Sequence, residues 1–130
     1  MSLRRLRRPW PWSGGSDGGT VTAELAVGLV GIALVLAAVL SFASVGREQI
    51  AVLDAAAAGA RSAARGESAT EVSRLATRLA GSGADVRVTR EGRLVTVVVV
   101  KRVALRLPGS PQLTVAGRGT YPTEPQVGEG

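Results

Sequence analysis

The chain has no histidine and no cysteine, and only four aromatic residues, Trp10, Trp12, Phe42 and Tyr121, among 130. Without imidazole or thiol there is no Ser-His or Cys-His nucleophile, no disulfide and no ordinary zinc or haem site. The ten carboxylates are scattered along the sequence, and the glycine-rich stretch from Gly14 to Gly19 follows no strand pattern, so it does not read as a phosphate loop. No enzymatic role and no cofactor are expected. Asp54 and Glu67 read as solvated helix surface.

The scarcity of rings also bears on charge. Formal net charge is +6, with 15 arginines and a single lysine, Lys101. Four arginines (Arg4, Arg5, Arg7, Arg8) fall in the first eight positions, so residues 1–19 and 20–130 each carry a net +3. A mildly basic body with two aromatics offers no stacking platform, and nucleic acid is not an expected partner.

What the chain does have is a long apolar run. From Leu25 to Val45 there are 21 residues without a charge, their only polar side chains being Ser41 and Ser44. As a helix this run would measure about 32 Å, against a hydrocarbon core of about 30 Å, and so would cross a bilayer once. The basic start favours a cytoplasmic N-terminus, since Arg47 and Glu48 nearly cancel on the far side. Residues 46–130 would then lie outside the cytoplasm. A secretory signal peptide is the competitor, with Ser41-Phe42-Ala43 offering a cut after Ala43. Against it, the run exceeds the roughly 7 to 15 residues of a signal peptide's apolar segment, and Glu24 stands at its mouth.

Ahead of the run, residues 13–25 read SGGSDGGTVTAEL. Gly18 and Gly19 favour an extended, unshielded backbone on which a protease can close, and Glu24 is fifth counting from Thr20. As a plain helix-start carboxylate, Glu24 would meet the positive end of the helix dipole, an effect of roughly 0.3 to 1 kcal/mol.

Gly19 followed by Thr20-Val21-Thr22-Ala23-Glu24 and an apolar helix resembles the class III leader of type IV pilins. With an Ala/Arg helix and a valine-rich β region downstream, residues 18–121 are similar to the TadE-like minor pilins of the tight-adherence system, particularly actinobacterial ones. That resemblance implies cleavage after Gly19 by a membrane-embedded prepilin peptidase, retention of the apolar helix, and partners among pilin subunits, an assembly platform and a secretion ATPase. It departs from many pilins in having Thr20 where they carry phenylalanine. The tight-adherence main pilin usually has tyrosine where Leu25 stands, and is much shorter. Under this reading Glu24 gains a second role, pairing with the new ammonium of a neighbouring subunit and fixing axial register. Two other readings stand beside it: an unprocessed single-pass adaptor whose arginines meet anionic lipid or a cytoplasmic partner, and a small secreted β domain released near Ala43.

Along the apolar run, Ala33, Ala37 and Ser41 form a small-residue stripe suited to close helix packing. Ile50, Leu53, Ala57, Ala60 and Ala64 continue with 3,4 spacing, extending the helix to nearly 45 residues, about 67 Å, before Gly66. Ser68 to Glu71 is a capping box opening a short helix, with Val72, Leu75, Ala76 and Leu79 on one face and Gly81 at its end. Strands are predicted around Val86–Val88, over residues 94–107 and over Leu113–Thr120. In the second, the odd positions Val95, Val97, Val99, Val103, Leu105 and Leu107 share a face that only Lys101 interrupts. Val97 to Val100 would be an aggregation risk at an edge, which argues for a central place.

The expected fold is therefore α+β. A leader (1–19) and a transmembrane helix (20–45) are followed by a helical stem (46–66), a small ectodomain with a short helix and an antiparallel sheet (67–121), and a disordered tail (122–130).

Overall fold

The computed structural model describes residues 17–109 and 111–125. The leader arginines Arg4, Arg5, Arg7 and Arg8 and the end of the tail lie outside them. The fold is α+β, with element order α1 (Asp17–Ala64), α2 (Ala69–Ala80), β1 (Ala84–Glu91), β2 (Leu94–Ala104) and β3 (Gln112–Pro122). By contacts the chain divides into two compact units, Met1–Leu34 and Val35–Gly130.

The described part of the first unit is the opening half of α1. Its large apolar side chains, Val21, Leu25, Val27, Leu29, Val30, Ile32 and Leu34, are all more than half exposed. The helix that carries them is long and apolar enough to cross a membrane, and only 6% of its most apolar window is buried. A helix hydrophobic all round and uncovered by protein suits lipid surroundings better than water.

In the second unit α1 ends at a Schellman closure. Gly66 takes a φ of 93°, its N–H donates to Ala63 O and the Glu67 N–H donates to Ser62 O, so the last carbonyls are satisfied as the chain reverses. Ser68 then caps α2 by accepting from the Glu71 N–H at 3.3 Å, as the capping box predicts. Gly92 (φ 57°) turns β1 into β2. The Leu105 N–H donates to Pro111 O at 2.8 Å, closing the loop before β3. The sheet is antiparallel in the order β1-β2-β3, with Val88 opposite Val97 and Val97 opposite Gly119. The Val97–Val100 run is thus central and paired on both sides.

Both helices contribute to the core. Val95, Val97 and Val99 of β2 and Val115 of β3 are buried with Val52, Ala55, Ala56, Ala60 and Ala63 of α1 and Val72, Ala76 and Ala80 of α2. The buried face of α1 differs from the predicted stripe, because Ile50 and Leu53 remain 60% and 44% exposed and Ala57 half-buried. The reason is steric. A Cβ added at Gly117 would lie 2.3 Å from Val52 O, and one at Gly119 2.5 Å from Ala56 O, so β3 lies backbone to backbone on α1. Only the helix face built of valine, alanine and glycine admits that approach. On α2, Leu79 is likewise exposed and Ala80 buried in its place.

Lys101 has a structural reason for interrupting the apolar face of β2. Its ammonium donates to Glu48 Oε2 at 2.7 Å and to Ala80 O at 2.9 Å, joining α1, β2 and the end of α2. Replacing Lys101 by methionine keeps the apolar stem but strands both acceptors, and should cost about 2 kcal/mol. Glu48→Gln combined with Lys101→Met should cost less than the sum of the two single changes, measured by thermal unfolding of the four proteins.

One sequence expectation is corrected at the α1–α2 turn. Glu67 lies between the helices rather than on a solvated helix face; its carboxylate accepts from the Ser62 hydroxyl and from Arg65. At the far end of the sheet Pro122 closes β3, the Thr123 N–H donates to Arg93 O and the Glu124 N–H donates to Ala64 O. The buried Ser62 hydroxyl, assisted by Arg65, holds the Glu67 carboxyl below its ordinary value of 4.5. A depressed folded value means that this group stabilises the fold above the ordinary range and loses that contribution as pH falls through the lowered value. In Ser62→Ala, melting temperature should therefore fall less steeply on acidification below about 4.5 than in the wild type, in parallel pH series.

Candidate functional site

The candidate site is the start of α1. Gly18, Gly19 and Thr20 are exposed, and a Cβ at either glycine would meet nothing within 4 Å. They are helical, where the sequence predicts an extended approach. Within that helix the Thr22 hydroxyl donates to Gly18 O at 2.8 Å. Each glycine is about 1 kcal/mol worse than alanine in a helix.

Glu24 follows one turn later, exposed and with no ion pair or side-chain hydrogen bond among the described residues. It edges a shallow groove lined by Val21, Leu25, Gly28, Leu29 and Ile32. In that groove it is the sole charged side chain, set at the N-terminal end of an otherwise apolar face. The absence of a side chain at Gly28 leaves a dent in that face, a role that sequence reading did not assign to it.

No protein-family model, curated protein or solved structure matches the chain. The functional reading therefore stands on its own residues.

The small-residue stripe is not uniformly open. Ala33 is exposed, Ala37 half-buried and Ser41 only 3% exposed. The Ser41 hydroxyl donates to Ala37 O at 2.7 Å, a bond within its own helix, so Ser41 is not offered to a neighbour as the stripe implies. Ser44 does the same with Ser41 O. Ser41-Phe42-Ala43 lies inside continuous α1 rather than in an extended segment.

Sequence reading missed the contacts that hold residues 48–59 of α1 to the sheet. Besides Glu48–Lys101, Gln49 Nε2 donates to Ala116 O at 2.9 Å, and Gly59 faces Val97 so closely that a Cβ would sit 3.2 Å from it. The available signals were a lone lysine in a valine strand and two glycines at alternate strand positions.

Proposed function

We propose that the chain is a minor, pseudopilin-like subunit, similar to TadE-like proteins, of a tight-adherence type IV pilus or a related secretion system. A prepilin peptidase cuts it after Gly19. It then sits once through the cytoplasmic membrane with its start in the cytoplasm and residues 46–130 outside, and is assembled with other pilin subunits through its apolar helix, on a platform driven by a secretion ATPase. From there it reaches the cell surface.

One observation carries this reading. Among the described residues, an apolar helix face uncovered by protein begins directly after a glycine pair, and the only charge on its groove is a carboxylate one turn in that has no ion pair. Cleavage after Gly19 would create an ammonium at Thr20. Once helices leave the bilayer and pack together, that ammonium and Glu24 of an adjacent copy each need a partner in a low-dielectric bundle.

The unprocessed single-pass adaptor is favoured by one feature, the helical conformation of Gly18 and Gly19. Release near Ala43 fits less well, since the cut would fall within a continuous helix. The N-terminus of the membrane-resident protein separates all three. Thr20 supports the pilin reading, Met1 or Ser2 supports the adaptor, and a start after Ala43 supports release.

A further inference from the structure

The exported stretch of α1 distributes its side chains in an unusual way. Toward its own domain it turns Val52, Ala55, Ala56, Gly59 and Ala60, all buried, while its two largest apolar residues there, Ile50 and Leu53, face outward. Gly46, Ile50, Leu53 and Ala57 fall at spacings of 4, 3 and 4, the repeat of a coiled-coil seam. Single exposed leucines elsewhere, such as Leu79 and Leu94, are ordinary surface, whereas Ile50 and Leu53 occupy two adjacent seam positions on one helix.

The flanks say which helix. On one side of the seam, Arg47, Asp54 and Arg61 recur every seven residues, exposed and without side-chain ion pairs among the described residues. On the other flank the equivalent positions are Phe42, Gln49 and Ala56, of which Gln49 is bonded to Ala116 O and Ala56 is buried. In a parallel pair, each charged flank meets the opposite flank of its neighbour. A second copy, in register or shifted by whole heptads, would offer those arginines and that aspartate no charge at all.

We infer that the seam at Ile50 and Leu53 takes the helix of a different protein, one with an apolar stripe flanked by acidic, basic and acidic residues at seven-residue spacing. The parallel orientation rests on the proposed membrane topology, in which subunits share one direction. The seam itself rests on exposure and charge.

The test uses the full chain in nanodiscs and a labelled helical peptide of about three heptads, with leucine and isoleucine at the seam positions and Glu, Lys, Glu at successive flanking positions. A control peptide carries Lys, Glu, Lys. By fluorescence anisotropy the first should bind about tenfold more tightly, the order expected when three weak ion pairs are exchanged for three repulsions. Arg47→Glu, Asp54→Arg and Arg61→Glu together should invert the preference. Ile50→Ser with Leu53→Ser should abolish binding of both peptides, with circular dichroism unchanged because both sites are on the surface. Equal affinities would overturn the inference. So would an Ile50→Cys variant that cross-links to itself at a yield the first peptide does not lower, which would assign the seam to a second copy. A thiol in that variant shielded by the bilayer alone would assign the seam to lipid and overturn it equally. Peptide selectivity in a protein that retains Met1 would sink the pilin reading and leave the seam standing; a Thr20 terminus without selectivity would do the reverse.

Discussion

Gly117→Ala is expected to lower the unfolding temperature of the α+β domain by about 15 °C, the shift that corresponds to about 3 kcal/mol in a domain of this size. The added methyl would lie 2.3 Å from Val52 O, 2.6 Å from Val52 C and 2.8 Å from Leu53 Cα. These are backbone atoms of a helix, unable to rotate away as a side chain would, so β3 must lift from α1. Separation there would also disturb the Gln49–Ala116 bond and the burial of Val115. Gly59→Ala is the graded control: its methyl would meet only side chains, the nearest 3.2 Å away, and a smaller loss is expected. Gly28→Ala, with nothing within 4 Å, should not destabilise the domain. Thermal circular dichroism of the full chain in detergent ranks the three. Equal melting of Gly117→Ala and wild type would contradict the close packing of β3 on α1.

The second large effect concerns processing. Under the proposed function, Gly19→Val should abolish cleavage by prepilin peptidase, leaving the precursor as the only species in the membrane. In the proposed processing the peptidase closes on the Gly19-Thr20 backbone, and a branched side chain at Gly19 crowds that approach. Glu24→Gln separates cutting from assembly. The scissile bond is unaltered, so the chain should still be trimmed, but the new ammonium loses the charge it would meet on a neighbour, and incorporation into assembled material should fall sharply. Gel mobility of membrane and sheared surface fractions measures both. Normal trimming of Gly19→Val would contradict the proposed site.

Element types and order were legible because they follow from local pattern. An uncharged 21-residue run, a capping box, alternating valines and glycine-marked turns each specify one element. The faces of α1 were not, because they depend on what packs across from them. A 3,4 spacing of large apolar residues ordinarily marks the buried side, and Ile50 and Leu53 follow that spacing. The alternate glycines of β3 override it by bringing backbone onto backbone, a contact that excludes large side chains and selects Val52, Ala55 and Ala56 instead. Lys101 read as an interruption for the same reason, since its acceptors, Glu48 and Ala80 O, are distant in sequence. At the candidate site, Glu24 and the glycine pair were visible as residues, whereas the helical state of Gly18 and Gly19 was not. Glycine has weak helix propensity, so the local pattern argued for an extended backbone there.

The most direct measurement is the intact mass of the protein extracted from the membranes of cells that contain the prepilin peptidase. A chain of residues 20–130, beginning at Thr20 with its apolar helix retained, is the expected species. A mass that includes Arg4 to Arg8, or one that lacks residues 25–43, contradicts the account.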